Sequence, residues 1–228
     1  MSDENAAYPK RASGAPLALE QREETGDGRR FSPSIARNRD VVRDVFRAHM
    51  PTAGQVLEIA SGTGEHGTYI VSALPDLSWT YSDIDPAGRA SQTAWAQQTG
   101  DGRLHGPLEI DVTVAGWANI ASLSDFDGVF CANMIHIAPF AATEGLFQGL
   151  GEGLRQGGRF MLYGPFARDG DIAPSNARFS EDLKRRDPSW GVRDLVRDIL
   201  PLAASVHLSL VEIVEMPANN LSVIFERA

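Results

Sequence analysis

The chain has 228 residues, of which 43% are hydrophobic and 22% are charged, and its formal net charge at pH 7 is −9. This length and composition suit one globular domain with a sizeable core, and the acidic balance disfavours nucleic acid, because binding to a phosphate backbone rests on clustered Lys and Arg. A single cysteine, Cys131, excludes an intramolecular disulfide framework, and the sequence has neither a basic-then-apolar leader nor an apolar run of about 18 residues, so we expect a cytoplasmic protein without membrane association.

The N-terminal part of the chain differs in composition from the rest. Residues 1–30 mix charges with Gly and Pro and show little apolar periodicity, so we expect a disordered tail followed by one domain, residues 31–228. Apolar residues at helical spacing follow Ser32 and Ser34, both of which can cap a helix. They predict a helix over about residues 34–49.

Short apolar segments alternate with longer amphipathic ones in the remainder. The strand-like runs are QVLEIA, WTYSD, PLEIDV, FDGVFCAN, GGRFMLYG, VHLSLVEIVEM and NLSVIFERA. Residues 86–98 and 141–155 have helical character, and this alternation predicts a parallel sheet flanked by helices. The last two runs are joined only by PAN, which leaves no room for a crossover helix and predicts an antiparallel hairpin.

The first strand-like run enters a glycine-rich turn, VLEIASGTGEHG, in which Gly62, Gly64 and Gly67 spell G-x-G-x-x-G. A strand, glycine loop and helix bring backbone N–H groups to the carboxyl end of a sheet, where open α/β folds bind nucleotides. The motif alone is weak, since these glycines also suit a tight strand-to-helix turn. Glu58 favours S-adenosylmethionine over NAD, because a carboxylate repels a pyrophosphate and suits an α-ammonium. The terminal hairpin, foreign to the six parallel strands of dinucleotide folds, favours the same cofactor.

Two aspartates follow the second strand-like run, in WTYSDIDP. Asp83 closes the strand, and its carboxylate can accept hydrogen bonds from both ribose hydroxyls of either cofactor. Asp85 stands where the next helix begins, so we interpret it as an N-cap.

Longer strings carry a resemblance to a known family. They are FSPSIARN, VLEIASGTGEH, WTYSDID, FCANMIHIAPFAATEGLF, LYGPF, SNARF, RRDPSWGVRD and MPANNL. Through them residues 31–228 resemble an uncharacterised methyltransferase-like family once labelled as a domain of unknown function (DUF938), of the methyltransferase-like protein 26 type. The resemblance implies an α/β, Rossmann-like class I methyltransferase fold, with a central, mostly parallel seven-stranded sheet, an antiparallel C-terminal hairpin and helices on both faces. Ala60 replaces the first glycine of the resembled motif E-x-G-x-G, which bears only on the tightness of that turn.

The resemblance also implies a site for S-adenosylmethionine, with S-adenosylhomocysteine as the product. The residues expected to hold the cofactor are Glu58, Ala60, Ser61, Gly62, Thr63, Gly64, Asp83, Ile84, Asp111, Val112, Asn133 and Met134. In the resembled family a carboxylate at the end of the third strand, here Asp111, receives the adenine amino group, and the backbone N–H of Val112 contacts the ring. Asp111 otherwise caps a turn, and Met134 is a packing surface for adenine or for the core.

Methyl transfer from a sulfonium is an in-line displacement, so the protein must align a small-molecule acceptor and, where needed, remove its proton. His136 is a candidate general base or a helix cap, and Tyr163 either presents its hydroxyl to the cleft or packs on a helix. The polar insertion at residues 164–192 is expected to be a lid. Candidate acceptor contacts, each with an alternative as an exposed or turn-capping residue, are Arg37, Asn38, Arg185, Arg186, Trp190 and Asn219.

Other chemistries lack their motifs. No pair of His or Cys has metal-ligand spacing, no G-x-S-x-G elbow occurs, and no Walker lysine follows the glycine loop. The sequence therefore predicts an S-adenosylmethionine-dependent methyltransferase without a metal. A non-catalytic cofactor-binding protein and an NAD-dependent oxidoreductase are the alternatives.

Overall fold

The elements of the fold are taken from a computed structural model that describes residues 23–228. The strands in this range are β1 (Glu23–Glu24), β2 (Arg30–Phe31), β3 (Ala53–Ile59), β4 (Asp76–Ser82), β5 (Leu104–Leu108), β6 (Gly128–Ala132), β7 (Arg159–Ala167), β8 (Arg193–Asp194), β9 (Leu208–Met216) and β10 (Asn220–Arg227). The α-helices are α1 (Pro33–His49), α2 (Glu65–Ala73), α3 (Pro86–Thr99), α4 (Trp117–Ile120), α5 (Phe140–Gly153), α6 (Pro174–Arg186) and α7 (Leu200–Ser205). Short 3-10 turns at Leu123–Asp125, Met134–His136 and Pro217–Asn219 and a π-helical turn at Leu195–Ile199 complete the set.

Seven strands form the central sheet in the order β5-β4-β3-β6-β7-β10-β9. The strands from β5 to β7 are parallel to one another, and β10 runs antiparallel to both β7 and β9. The two-residue β8 pairs with the end of β7. The predicted seven-stranded, mostly parallel sheet with an antiparallel C-terminal hairpin is confirmed.

Helices cover both faces of this sheet, as predicted. Successive residues of a strand point to opposite faces, so Val129 and Cys131 of β6 enter one core while Phe130 enters the other. The α5-side core is built on Leu146, Phe147, Leu150, Ala203, Phe160, Leu162 and Phe225, and the α1-side core on Val42, Phe46, Ile70, Val71, Trp79, Tyr81, Met161 and Ile224. Burial on both faces explains the nearly continuous apolar runs of the central strands.

Ordered structure begins earlier than the predicted boundary at residue 31. Residues 1–22 of the predicted tail lie outside the described residues, whereas Glu23–Glu24 pairs antiparallel with Arg30–Phe31. Helix α1 then begins at Pro33, and its N-cap Ser32 accepts a hydrogen bond from the backbone N–H of Ile35 at 3.4 Å. The prediction of a capped helix at this place is confirmed.

The third strand lies earlier than predicted. The run PLEIDV was expected to form it, but pairing with β4 ends at Leu108, which faces Ser82. Residues 109–112 leave the sheet, although Ile110 and Val112 are buried and reproduce the alternation of a strand. Asp111 therefore follows the strand instead of ending it.

The third glycine of the motif has a packing role. Gly67 lies on the face of α2 that meets β4, where an added Cβ would stand 2.6 Å from Cδ1 of Trp79 and 2.7 Å from Cε1 of Tyr81. Since real Cβ atoms do not approach other heavy atoms so closely, only glycine allows α2 to lie this near the sheet.

We expect Gly67→Ala to destabilise the protein by about 1–3 kcal/mol, the usual cost of overpacking a core. Gly102→Ala is the matched control, because nothing lies within 4 Å of a Cβ at that position. Chemical denaturation of both variants measures the difference, and equal stabilities would mean that α2 can move away from β4 at little cost.

Candidate cofactor and acceptor site

The glycine loop, residues 60–64, joins β3 to α2 at the carboxyl ends of the parallel strands. Ala60, Gly62 and Gly64 all adopt the left-handed conformation, with φ of 57°, 57° and 90°. This region is free for glycine but costs about 1–2 kcal/mol for a residue with a Cβ. The alanine is therefore strained at the position where the resembled motif has glycine.

The carboxylate of Asp83 binds the loop from the end of β4. Its Oδ2 accepts the backbone N–H of Gly62 at 2.8 Å, and its Oδ1 accepts that of Asp85 at 2.9 Å. Asp85 instead caps α3, accepting the N–H of Ala87 at 3.0 Å, so its predicted N-cap role is confirmed. Of the two aspartates, Asp83 is the one that faces the loop.

Two buried polar residues of α3 hold the other side of the loop. Gln92 donates from Nε2 to the carbonyl of Gly62 at 3.0 Å, and Ser91 donates from Oγ to the carbonyl of Thr63 at 2.7 Å. Both side chains are fully buried. Sequence reasoning missed them, and the available signal was a polar pair on the inward face of an amphipathic helix.

Glu65, the first residue of α2, is a second residue that sequence reasoning missed. Its side chain is only 4% exposed, and its Oε2 accepts the backbone N–H of Ser32 at 2.7 Å and the hydroxyl of Thr63 at 2.8 Å. A carboxyl group thus occupies the positive N-terminal end of α2, where phosphates bind in dinucleotide folds.

Glu58 lies behind the loop and is 2% exposed. Its Oε2 accepts the indole N–H of Trp79 at 3.0 Å. Burial raises the pKa of Glu58 to about 8, and the charge of Asp83 raises it further, against the opposing hydrogen bonds from Trp79 and Ser61. The group is therefore mainly a neutral acid near pH 7, which differs from the carboxylate expected from the sequence.

Ser61 and Asn133 have backbone-ordering roles. Ser61 is buried, donates from Oγ to the carbonyl of Glu58 at 3.2 Å and accepts the N–H of Ser82 at 3.1 Å. Asn133 adopts φ 61° at the end of β6, and its N–H donates to the carbonyl of Tyr163 at 2.8 Å. These bonds hold β3 to β4 and β6 to β7 at their carboxyl ends.

The residues expected around adenine differ in their exposure to solvent. Ile84, beside Asp83, leaves 51% of its side chain exposed, whereas Val112 is buried and Met134 packs against the α5-side core. Asp111 is exposed, and its Oδ1 accepts the N–H and the hydroxyl of Thr113 at 2.9 and 2.7 Å. The turn-capping alternative for Asp111 is thus the arrangement that the structure contains.

A polar chain joins the loop to the end of β7. Asn38 of α1 donates from Nδ2 to the hydroxyl of Tyr163 at 3.3 Å, and Asn220 also hydrogen-bonds that hydroxyl. The oxygen of Asn38 lies 3.1 Å from Nε2 of His66, whose pKa burial lowers to about 4. Asn38 and Tyr163 are therefore brought together, while Arg37 is exposed.

His136 lies in the turn after β6 and is fully buried. Its Nδ1 accepts the N–H of Arg193 at 3.3 Å, so the proton of the neutral ring is on Nε2. Burial, with the charge of Arg193, lowers the pKa of His136 to about 3. Within residues 23–228 its Nε2 has no hydrogen-bond partner, and it stands so near Gly164 that an added Cβ there would be 2.7 Å away.

The predicted lid, residues 164–192, contains the end of β7, helix α6 and a segment attached to the turn after β6. The guanidinium of Arg193 donates to the carbonyls of Ile135 and Ala138 at 3.0 and 2.6 Å, and the N–H of Gly191 donates to the backbone carbonyl of His136 at 3.0 Å. This attachment makes the C-terminal part of the insertion a fixed wall.

The polar residues expected on that lid do not share one surface. Trp190 is buried, whereas Arg185 and Arg186 are exposed at the end of α6, where Arg185 pairs with Asp182. Asn219 is exposed and donates from Nδ2 to the hydroxyl of Ser175 at 2.9 Å, which joins the turn before β10 to the start of α6.

Two features are absent from the part of the chain that the structure describes. Among residues 23–228 no group of three or more His, Cys, Asp or Glu is placed to hold a metal ion. In the same range no helix has the length and apolar character needed to cross a membrane.

The fold resembles that of solved methyltransferases. An O-methyltransferase family 2 protein from Planctomyces limnophilus, solved with apigenin, has a TM-score of 0.72 at 19% identity over 86% of this chain and 59% of its own. Human N-acetylserotonin methyltransferase, solved with S-adenosylmethionine, has a TM-score of 0.67 at 15% identity over 86% of this chain and 53% of its own. Geranyl diphosphate C-methyltransferase from Streptomyces coelicolor, solved with Mg²⁺, geranyl diphosphate and S-adenosylhomocysteine, has a TM-score of 0.67 at 10% identity over 85% of this chain and 80% of its own.

These similarities define the class of fold: the chain has the Rossmann-like fold of class I methyltransferases. It spans less than two thirds of the length of the first two proteins. The chain belongs to the family described as "Protein of unknown function (DUF938)", whose model matches residues 29–227.

We expect Ala60→Gly to be neutral or to stabilise the protein by up to about 1 kcal/mol, because glycine relieves the left-handed strain. Ala90→Gly, at an exposed position inside α3, should instead cost about 1 kcal/mol. Thermal unfolding of both variants makes the comparison, and equal losses would show that Ala60 is not strained.

Glu58 gives a prediction for the pH dependence of stability. Because folding raises its pKa from the ordinary 4.5 to about 8, its stabilising effect is present below pH 4.5 and is lost as the pH rises through 8. One pKa unit corresponds to about 1.4 kcal/mol, so Glu58→Gln should gain about 4 kcal/mol relative to the wild type between pH 5 and pH 9. Urea denaturation across this range tests it, with the exposed Glu181→Gln as control; parallel curves for wild type and Glu58→Gln would contradict the burial of an acid.

Proposed function

We propose that this protein transfers a methyl group from S-adenosylmethionine to a small, uncharged acceptor, and that it is of the methyltransferase-like protein 26 type. The acidic N-terminus of α2 carries the proposal. Three buried acidic side chains, Glu58, Glu65 and Asp83, surround the glycine loop, and Glu65 stands where a pyrophosphate would bind. S-adenosylmethionine has a sulfonium and an ammonium and no phosphate, so it matches this surrounding.

Electrostatics weigh against NAD at this loop. Two like unit charges 4 Å apart repel by about 4 kcal/mol at the effective dielectric constant of a protein surface, and a pyrophosphate carries two charges. Glu65 is held in place by Ser32 and Thr63 and lies at the helix end that a pyrophosphate needs. An oxidoreductase using NAD is therefore disfavoured despite the spelling G-x-G-x-x-G.

Each part of the cofactor has a candidate partner. Gly62, Thr63 and Gly64 offer the loop, and Asp83 offers carboxylate oxygens to the ribose hydroxyls. The exposed side chain of Ile84 is an apolar surface beside Asp83 and suits the adenine ring. The remaining candidates, whose roles stay predictions, are Glu58, Ala60, Ser61, Asp111, Val112, Asn133 and Met134.

The acceptor side offers neutral polar groups. The Nε2–H of His136 is a donor, the Tyr163 hydroxyl is held by Asn38 and Asn220, and burial raises the pKa of Tyr163. Neither group exchanges a proton near pH 7, so we assign them to orienting an acceptor whose own atom is nucleophilic. Human N-acetylserotonin methyltransferase is named for an uncharged aromatic compound, and the Planctomyces limnophilus protein was solved with another, apigenin. Both names support this choice.

Further acceptor contacts are proposed around the entrance of the site. Trp190 belongs to the fixed wall above His136, which supports a place for it beside the acceptor. Arg37, Arg185, Arg186 and Asn219 are exposed and stay candidates for the entrance.

A second candidate function is favoured by the same neutral groups. Since neither His136 nor Tyr163 is poised as a base, the protein suits cofactor binding without turnover. Incubation with methyl-labelled S-adenosylmethionine and extracts of small metabolites distinguishes the two functions: label in a product supports transfer, and stoichiometric binding without any labelled product supports a non-catalytic protein.

We expect the protein to bind S-adenosylmethionine or S-adenosylhomocysteine with a dissociation constant in the micromolar range, about −8 kcal/mol, and not to bind NAD. Asp83→Ala should weaken binding by about 1.5–3 kcal/mol through loss of hydrogen bonds to a charged group. Asp85→Ala is the control, because it removes only a helix cap and should lower stability by about 1 kcal/mol while leaving affinity intact. Titration calorimetry tests all three ligands, and heat with NAD alone would overturn the proposed cofactor.

A further inference from the structure

The segment at residues 29–32 lies against the glycine loop, although the sequence placed residues 29 and 30 in a disordered tail. The backbone N–H of Ser32 donates to Oε2 of Glu65 at 2.7 Å, and that of Arg30 donates to Oγ of Ser91 at 2.9 Å. Glu65 and Ser91 are buried. Two successive contacts therefore connect this segment to residues that already hold the loop.

Thr63, which lies between the two glycines of the loop, is the residue where these connections meet. Its hydroxyl donates at 2.8 Å to Oε2 of Glu65, the same oxygen that accepts the backbone N–H of Ser32. Its carbonyl accepts a hydrogen bond from the hydroxyl of Ser91 at 2.7 Å. The oxygen of that hydroxyl in turn accepts the backbone N–H of Arg30. Thr63 is thus fixed through two side chains, each of which also binds one backbone N–H of the N-terminal segment.

Aromatic packing fixes the segment on its outer side. Phe31 and Trp95 are in edge contact with ring centroids 5.0 Å apart, and the guanidinium of Arg29 lies 4.8 Å from the Trp95 ring. The indole N–H of Trp95 donates to the carbonyl of Arg30 at 3.2 Å. Side chains and backbone together hold residues 29–32 on α3.

We propose that residues 29–32 form part of the cofactor site, and that Glu65 and Ser91 are positioning residues that couple this segment to Thr63. The inference rests on the proposed function, because it concerns the site for S-adenosylmethionine. A loop of glycines has little conformational preference of its own, so its shape depends on such outside contacts. Coupling between two sites is reciprocal, so a cofactor that orders Thr63 must also strengthen the attachment of the segment.

The first test uses the wild-type protein and S-adenosylhomocysteine. Hydrogen exchange is followed at the amides of Arg30 and Ser32, which donate to Ser91 and Glu65. Saturating ligand should slow both amides by about tenfold or more relative to the free protein, as expected when local opening is coupled to ligand release. Unchanged exchange at both amides in the presence of bound ligand would overturn the coupling.

The second test compares variants by calorimetry with the same ligand. Glu65→Ala should weaken binding by about tenfold, the usual effect of losing hydrogen bonds to a charged group. Glu65→Gln should stay within about threefold of the wild type, because both bonds converge on one oxygen and an amide oxygen can replace it. Ser91→Ala should resemble Glu65→Ala. Glu24→Ala is the control, since Glu24 is exposed and pairs with Arg30 at 3.2 Å without touching the loop.

Truncation separates the segment from the rest of the N-terminus. Removal of residues 1–22 should leave affinity unchanged, whereas removal of residues 1–31 should weaken binding about as much as Glu65→Ala does. Melting temperatures verify that each variant is folded. If Glu65→Ala and the protein lacking residues 1–31 both bind S-adenosylhomocysteine with the affinity of the wild type, this inference is overturned while the proposed function stands. Absence of binding of S-adenosylmethionine and S-adenosylhomocysteine to the wild type would overturn the proposed function and this inference with it.

Discussion

The hydrogen bonds around the β3–α2 turn are the interaction on which the rest of the site depends. Four elements hold the two loop residues Gly62 and Thr63: the end of β4 through Asp83, helix α3 through Gln92 and Ser91, the start of α2 through Glu65, and the N-terminal segment behind Glu65. A glycine loop bonded on every side needs little reorganisation when a ligand arrives. The positions of β4, α3 and the N-terminal segment relative to the loop are therefore as important to binding as the loop itself.

The charge of the site divides between its two sides. On the loop side lie the buried carboxyl groups of Glu58, Glu65 and Asp83, and Glu58 is mainly neutral near pH 7 because burial raises its pKa. On the acceptor side His66 and His136 are neutral because burial lowers their pKa. A cationic donor molecule fits the side with the carboxyl groups, because opposite charges attract. An uncharged acceptor fits the side with the neutral histidines, because it brings no unpaired charge into a buried site.

Sequence patterns predicted the elements whose causes are local. The parallel sheet, the caps at Ser32 and Asp85 and the terminal hairpin follow from periodicity and turn chemistry, and the structure contains them. The third strand was misplaced because buried residues after Leu108 alternate like a strand although they lie outside the sheet. Asp111 therefore follows the third strand instead of ending it, and its role at the cofactor stays a prediction.

The roles that the sequence did not reveal depend on contacts between distant parts of the chain. Glu65 meets a backbone N–H 33 residues before it, and Ser91 meets one 61 residues before it. The periodicity of apolar residues indicates helices and strands but not contacts between distant residues. The charged composition around residue 30 also suggested disorder. The same limit applies to the lid: its loop-like composition was visible, but the bonds from Arg193 that fix it were not.

The attachment of residues 190–193 uses contacts that are separate from those around the glycine loop. This segment is bonded to the turn after β6 and pairs with the end of β7, whereas the loop is held by β4, α3 and the N-terminal segment. Changes in α6 or in the residues around Trp190 can therefore alter the acceptor wall without moving Thr63. On the proposed function, the acceptor is therefore to be sought through His136, Tyr163 and Trp190, because the loop is proposed to hold the donor.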